Sequence, residues 1–128
     1  MYTAIGSRPD IVFAVSYLAR FMQNPGTAHW EAVKRVIRYL KGTKDAKLTI
    51  GLGSTFEWAQ EDRRDRQGLE GFSDADGNSQ EHCHAISGYV FTIDGGAVSW
   101  NSRKQSLVSL SMTESEYVAV THASKEAL

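Results

Sequence analysis

The 128-residue chain has 41% apolar residues and a formal net charge of −1, a balance typical of a soluble globular protein. Its longest apolar run, Ile11 to Val15, is far shorter than the roughly 20 residues that cross a bilayer, so we expect no membrane partner. The single cysteine, Cys83, cannot form an internal disulfide, which excludes a disulfide-stapled scaffold. These features predict an intracellular protein, cytoplasmic or nuclear.

Charge is distributed unevenly along the chain. Residues 1–50 carry eight Lys/Arg and three Asp/Glu, whereas residues 51–128 carry six Lys/Arg and twelve Asp/Glu. This asymmetry indicates that the first part faces a polyanion and that the second part gathers carboxylates. Solvated charged surfaces of ordinary domains produce similar counts, so charge alone leaves both interpretations open.

The first third of the chain is predicted to be a helical hairpin. Ser7 and Pro9 mark a helix start, because serine accepts a free backbone N–H and proline fits the first helical turn. Apolar residues then recur at helical spacing until Asn24-Pro25-Gly26 ends the pattern. Thr27 is the predicted cap of a second helix, which Gly42 ends.

The second predicted helix has two contrasting faces. The apolar face contains Trp30, Val33, Ile37 and Leu40, and the basic face contains Lys34, Arg38 and Lys41. Both sets recur with the helical period. The basic row is either a solvated helix surface or a surface that binds nucleic acid.

A strand and a charged linker are predicted next. Leu48, Ile50 and Leu52 alternate with polar or small residues, as in a half-buried strand. Residues 61–67 include no apolar side chain and predict a linker or surface loop. The chain is therefore divided into a first segment, a linker and a second domain, over residues 1–52, 53–70 and 71–128.

The second domain is predicted to form three antiparallel strands followed by a helix. Strands are expected over residues 71–75, 87–93 and 97–101. Asp94-Gly95-Gly96, between the last two, is a strong hairpin signal. A capping box is expected at the start of the helix, formed by Ser111 with Glu114 or by Thr113 with Glu116. Helical hairpin and sheet together predict the α+β class.

Two carboxylates stand where apolar residues are expected. Asp74 follows Phe72 by two residues in a predicted strand, so both side chains point to one face. Glu116 precedes Ala119 and Ala123 on one face of the last helix. Burying unpaired carboxylates is costly, which favours a compensating Mg²⁺ ion. The alternative is that Asp74 is a strand-end turn residue and that Glu116 complements the helix dipole.

Short motifs throughout the chain carry a family resemblance. The first group is Met1-Tyr2, Ser7 to Ile11, Ala14-Val15-Ser16, Arg20-Phe21-Met22, Asn24-Pro25, His29-Trp30, Lys34-Arg35-Val36 and Arg38 to Thr43. The second group is Phe72 to Asp76, Ser87 to Phe91, Val98-Ser99-Trp100 and Thr113 to Ala119. In order, they resemble the segment of copia-type retrotransposon Pol polyproteins that joins the reverse transcriptase to the first half of ribonuclease H.

The resemblance implies a fold and a site. Residues 1–52 would be the C-terminal connection of the reverse transcriptase, and residues 71–128 the N-terminal half of a ribonuclease H-like domain, truncated after its first helix. Asp74 and Glu116 would be catalytic residues and metal ligands in a site for two Mg²⁺ or Mn²⁺ ions.

The resemblance also implies partners. The substrate would be the RNA strand of an RNA–DNA hybrid, distinguished from DNA by its 2′-hydroxyls. Lys34, Arg38 and Lys41 are expected to bind nucleic acid, and the remainder of the polyprotein is an expected partner.

Some features depart from the family pattern. Gly77-Asn78 follow Asp76, where the family has tryptophan and a small residue. His82-Cys83-His84 precedes the second strand, and it lacks the second Cys/His pair that a zinc site needs. The family's third aspartate is expected beyond Leu128, so we expect the isolated chain to be inactive. The competing interpretation is an inactive relic, or a nucleic-acid-binding or scaffolding fragment.

Overall fold

The computed structural model describes residues 2–50, 68–76 and 84–128. The chain divides into two compact units, Met1–Leu48 and Thr49–Leu128, called here the helical unit and the sheet unit. Most of the predicted linker at residues 53–70 lies outside the described residues, as do Leu52 and His82-Cys83. No helix in the described ranges is long and apolar enough to span a membrane.

The helical unit contains three α-helices and one short 3₁₀-helix. These are α1 (Tyr2–Gly6), a 3₁₀-helix (Pro9–Ile11), α2 (Val12–Ala19) and α3 (Thr27–Gly42). The predicted pair of helices is present as α2 and α3, which contact each other. The structure adds α1 and separates the start of the first predicted helix into a 3₁₀ turn.

Both predicted caps of the helical unit are wrong in detail. The Ser7 hydroxyl donates to the Thr3 carbonyl at 3.4 Å and caps no following helix, because α1 already occupies this part of the chain. Gly26, not Thr27, is the N-cap of α3. The Gly26 N–H donates to Nδ1 of His29 at 3.0 Å, so a side chain of the first turn accepts from the N-cap backbone, whereas Thr27 was expected to accept from the N–H groups of the first turn.

The apolar face predicted for α3 is only half correct. Val33 and Leu40 are half-buried, whereas Trp30 is 58% exposed and Ile37 is 57% exposed. The packed stripe is rotated toward Val36, which is half-buried as well. Helical spacing places apolar residues on a common side, but the position of α2 decides which of them are covered.

An arginine ties the start of the 3₁₀-helix to the end of α3. The Arg8 guanidinium donates to the Asp10 carboxylate at 2.7 Å, to Oγ1 of Thr43 at 2.6 Å and to the Thr43 carbonyl at 3.1 Å. The Tyr39 hydroxyl donates to the same carboxylate at 2.8 Å. These four residues are called the Arg8 clamp, and they join chain segments 35 residues apart.

The clamp changes the acidity of its members. The hydrogen bond from Arg8 is the main cause that lowers the pKa of Asp10 to about 2. The hydrogen bond given to Asp10 raises the pKa of Tyr39, and the same carboxylate raises the pKa of Arg8. Asp10 is therefore held in its charged form.

The sheet unit contains three strands and a helix, β1 (Leu69–Asp76), β2 (Ile86–Ile93), β3 (Gly96–Lys104) and α4 (Met112–Ala127). Both strand pairings are antiparallel, and the strand order is β1-β2-β3. The prediction of three antiparallel strands and a helix is confirmed. Each strand extends beyond its predicted bounds. The hydrogen-bonded pairing between strands continues into the flanking residues.

The strand predicted around Leu48 and Ile50 is wrong over the described residues. Residues 46–50 have no regular secondary structure. A Cβ atom on Gly96 would lie 2.6 Å from the Thr49 carbonyl oxygen, so Thr49 and Ile50 pass directly over the first residue of β3. Alternation is a local signal, whereas a strand also requires hydrogen bonds to a partner strand, which residues 46–50 do not make.

The β2–β3 hairpin follows its sequence signal. Asp94 and Gly95 have φ values of 48° and 76°, and Ile93 pairs with Gly96. Positive φ at both central residues defines the type I′ turn, which matches the twist of paired strands. The register shifts beyond Phe91, where β3 contains one extra residue.

Small residues let α4 approach the sheet. Ser115, Ala119 and Ala123, at successive helical turns, are buried. In β1, a Cβ on Gly71 would lie 2.5 Å from the ring of Phe91, the buried side chain directly opposite. Glycine at this position therefore makes room for the aromatic ring.

The start of α4 confirms one of the two predicted capping boxes. The Ser111 hydroxyl accepts from the Glu114 N–H at 3.1 Å. The Glu114 carboxylate accepts from the Leu110 N–H at 2.7 Å, one residue before the usual partner. Glu114 thus occupies the first-turn role, which leaves Glu116 outside the cap.

One buried amide connects the elements of the sheet unit. Gln105 is 1% exposed, and its Nε2 donates to the Ser87 hydroxyl and to the Ser115 carbonyl, both at 2.8 Å. Its Oε1 accepts from Ser109 at 3.1 Å, and its backbone N–H donates to the Ala85 carbonyl at 2.8 Å. Gln105 joins the start of β2, the end of β3 and the first turn of α4.

We predict that Asp10→Asn destabilises the helical unit in a pH-dependent way. The loss should be about 1 kcal/mol near pH 6, since the pair is partly exposed and screened. Because the folded pKa, about 2, lies below the ordinary 3.8, the stabilisation is present above the ordinary value and lost as pH falls through about 2. Thermal unfolding followed by circular dichroism, at pH 6 and at about pH 2, measures the loss of stability and its dependence on pH.

The control for Asp10→Asn is Asp45→Asn, which changes an exposed carboxylate in the turn after α3. This variant should match the parent at both pH values. If the two variants lose equal stability, or if the Asp10→Asn effect persists at the lowest pH, Asp10 is not held by the clamp.

We predict that Gln105→Leu lowers the free energy of unfolding of the sheet unit by about 3 kcal/mol, because it leaves several buried polar groups without partners. Gln105→Glu should be equally damaging, since a carboxylate faces the Ser115 carbonyl where an amide donated. Urea unfolding is the measurement, with exposed Ser106→Ala as the control. A loss below that of the control would mean that the amide is dispensable.

Candidate functional site

Asp74 lies on the sheet face opposite to α4. Its neighbour Ser73 pairs with Tyr89, which lines a cleft together with α4 residues. Because side chains alternate along a strand, Asp74 points the other way, to the same face as Phe72. Phe72 is 58% exposed and Asp74 is exposed as well. The high cost expected for burying this carboxylate therefore does not apply.

Glu116 lies on the side of α4 that is nearer to β1. Val120, one turn further along the helix, lines a shallow groove with Gly71 and Ser73 of β1. Glu116 is exposed, whereas its neighbour Ser115 is 2% exposed. The buried face of α4 is therefore centred on Ser115, and Glu116 stands at its margin.

The two carboxylates lie toward the same end of β1. Gln105 bonds to both Ser115 and Ser87, and Ser87 pairs with Ala75. The start of α4 is thereby held beside the last residues of β1. Asp74 extends from one face of the sheet, and Glu116 extends from the helix that covers the other face.

The described residues offer oxygen ligands of the right kind but no complete ligand set. Carboxylates are the ligands that Mg²⁺ prefers. Within residues 2–50, 68–76 and 84–128, no group of three or more His, Cys, Asp or Glu could hold a metal ion. The assignment of Asp74 and Glu116 as metal ligands therefore stays a prediction.

The His82-Cys83-His84 cluster cannot be followed as a unit, because its first two residues lie outside the described ranges. Nδ1 of His84 lies 3.2 Å from the Leu107 carbonyl oxygen. That contact occupies one ring nitrogen of this residue.

The basic row of α3 is present but its members differ. Nζ of Lys34 lies 2.7 Å from the Glu31 carboxylate and 5.9 Å from the centre of the Trp30 ring. Arg38 and Lys41 are exposed on the helix surface. Lys34 is thus partly neutralised by its own helix, and the other two carry the exposed charge of the row.

Sequence reasoning missed a polar cleft between α4 and the sheet. It is lined by Ser87, Tyr89, Asn101, Arg103, His122, Lys125 and Glu126. The lining residues come from β2, β3 and α4. Lining residues of different elements are separated by more than ten residues in sequence. Basic residues spread in this way form no local motif, so only the strand register and the helix position reveal the cluster.

Comparison with known proteins finds relatives among retrotransposon Pol polyproteins. The chain is 42% identical over 127 residues to the retrovirus-related Pol polyprotein from transposon TNT 1-94 of Nicotiana tabacum, a match that covers 98% of the chain and 9% of that protein. It is 36% identical over 122 residues to the Pol polyprotein from transposon RE2 of Arabidopsis thaliana, covering 94% of the chain and 8% of that protein. The chain is therefore homologous to a short segment of retrovirus-related Pol polyproteins from copia-type transposons.

A third relative is short. The chain is 43% identical over 129 residues to the secreted RxLR effector protein 161 of Plasmopara viticola, covering all of the chain and 83% of that protein. By contrast, the chain spans about a tenth of the length of the two polyproteins. No family model and no solved structure matches the chain.

We predict that Asp74 and Glu116 bind Mg²⁺ or Mn²⁺ weakly in this chain. Because the two carboxylates extend from opposite faces of the sheet, each holds a cation separately and leaves most of its coordination to water. Titration calorimetry with MnCl₂ should show heat for the parent that Asp74→Asn with Glu116→Gln abolishes.

The matched control for this metal titration is Asp94→Asn, which removes a carboxylate from the hairpin turn at the opposite end of β2. It should bind as the parent does. Equal heats for the parent and the double variant would remove Asp74 and Glu116 from any metal site.

Proposed function

We propose that the chain is a segment of a Pol polyprotein whose complete form hydrolyses the RNA strand of RNA–DNA hybrids. The observation that carries the proposal is the order of the sheet unit, three antiparallel strands and then a helix, with Asp74 on the first strand and Glu116 on the helix. This is the order that the family resemblance implies for the first half of a ribonuclease H domain. The similarity to a Pol polyprotein is in line with this resemblance.

Asp74 and Glu116 have defined roles in this proposal. Their carboxylates would hold Mg²⁺ or Mn²⁺, and two such ions would supply an activated water and charge stabilisation for the leaving oxygen. The two residues would position the cations, since α4 is linked by the Gln105 hydrogen bonds to Ser87 of β2, the strand that pairs with β1. Exposure of both carboxylates leaves room for a large polyanionic substrate.

The helical unit would contribute affinity for nucleic acid. Arg38 and Lys41 are exposed on α3, and Lys34 precedes them by one turn. Phosphate contacts of this kind carry no sequence information but supply salt-dependent affinity. The proposed ligand of this row is the backbone of an RNA–DNA hybrid.

The deciding experiment is cleavage of a labelled RNA–DNA hybrid in Mg²⁺ and in Mn²⁺. The 128-residue chain should cut poorly, because Asp74 and Glu116 alone cannot fix two ions, and an error near 1 Å in such a site already costs about a hundredfold. A chain extended by the downstream segment of a related Pol polyprotein should cut the RNA strand. Asp74→Asn in the extended chain should abolish cleavage.

The control for cleavage is Asp76→Asn in the same extended chain, two residues along β1 from Asp74. Cleavage should survive this change at a reduced or equal rate. If the extended chain is inactive, or if Asp74→Asn leaves its rate unchanged, the proposed nuclease function is wrong.

A second candidate function is a non-catalytic one, as an inactive relic or as a nucleic-acid-binding or scaffolding fragment. The observation that favours it is the Plasmopara viticola relative, which is nearly spanned by this chain and is named a secreted effector. This candidate predicts no cleavage by any version of the chain. It also predicts that Asp74→Asn and Glu116→Gln change no measurable activity.

A further inference from the structure

The polar cleft of the sheet unit brings together cations from separate elements. Arg103 comes from β3, and Lys125 and His122 come from the second half of α4. Both Arg103 and Lys125 are exposed, and His122 is half-buried. Hydrogen-bonding side chains of β2 and β3, Tyr89 and Asn101, complete the walls. This cluster is called the cationic cleft.

One carboxylate also lines the cleft, and it is already engaged. Oε1 of Glu126 accepts a hydrogen bond from the Ser99 hydroxyl at 2.9 Å. This contact holds Glu126 against β3. Arg103 and Lys125 carry two positive charges, whereas Glu126 carries one negative charge and is hydrogen-bonded to Ser99. The net charge of the cleft is therefore positive.

The dimensions of the cleft indicate a small ligand group. Its volume is about 200 Å³, below the roughly 300 Å³ at which pockets for drug-sized molecules begin. A guanidinium presents paired N–H donors that match the oxygens of a phosphate, and a lysine ammonium adds a mobile point charge. An amide and a phenol hydroxyl extend the donor set.

We propose that the cationic cleft binds a backbone phosphate of a nucleic acid strand. The inference rests on the proposed function, which makes an RNA–DNA hybrid the ligand. It assigns the phosphate contact to Arg103 and Lys125, two residues outside the candidate metal site and outside the basic row of α3. His122, Tyr89 and Asn101 donate hydrogen bonds to the same group.

The test uses the whole chain and a fluorescently labelled RNA–DNA hybrid, with affinity measured by anisotropy over a series of salt concentrations. Arg103→Ala with Lys125→Ala should weaken binding about tenfold and make the salt dependence shallower by about one phosphate contact. Glu126→Gln should strengthen binding about threefold, because it removes a like charge beside the phosphate. Inorganic phosphate should compete with the hybrid for the parent but not for the double variant.

The matched control is Lys104→Ala. Lys104 follows Arg103 in β3, and alternation along the strand places it on the other face. It should bind the hybrid as the parent does. The thermal midpoint of each variant, measured by circular dichroism, separates loss of contact from loss of fold, and Glu126→Gln tests the charge with the least perturbation.

Several outcomes would overturn the inference. These are an absence of hybrid binding by the parent, parental affinity in the double variant, an equal loss in Lys104→Ala, or weaker binding in Glu126→Gln. If the extended chain cuts RNA while the double variant binds normally, the cleft inference fails and the proposed function stands. If no version cuts RNA while the cleft variants behave as expected, the nuclease proposal fails and the phosphate site stands.

Discussion

The hydrogen bonds of Gln105 determine where α4 starts relative to the sheet. Its amide is the only group in the described part of the sheet unit shown to donate both to a β2 side chain and to an α4 carbonyl. The backbone of the same residue donates to the Ala85 carbonyl at the end of the ladder. A buried amide with all these partners in place admits one arrangement, since any shift of α4 would leave polar groups unpaired.

The position of the candidate site follows from this arrangement. Ser115 is held by Gln105, and Glu116 is the next residue of α4. Ser87 is held by the same amide and pairs with Ala75, the residue after Asp74. The carboxylates are thus brought to one end of β1 by a residue that carries no charge.

In the helical unit, a charged side chain joins segments that are distant in sequence. A guanidinium with several acceptors, rather than a buried amide, joins its segments, because the Arg8 clamp lies at a partly exposed position where a charge keeps contact with water. Tyr39 contributes its hydroxyl to the carboxylate and lies 5.6 Å from the arginine as a cation–π partner. The clamp thereby aligns the 3₁₀-helix with the end of the basic α3.

Local signals in the sequence determined the types and order of most elements. Asp94-Gly95 fixed the hairpin because only residues that accept positive φ suit its turn, and Ser111 fixed the start of α4 because its hydroxyl serves a neighbouring N–H. Strand alternation also placed Asp74 on the face of Phe72. Each of these inferences concerns atoms only a few residues apart.

Contacts between distant residues were decided by the tertiary structure. Helical spacing placed Trp30 and Ile37 with other apolar residues, but the position of α2 left them exposed. Neither the partners of Gln105 nor the meeting of Arg103 with Lys125 has a local sequence pattern. Such contacts depend on strand register and on how a helix packs across a sheet, which are properties of the whole unit rather than of any short segment.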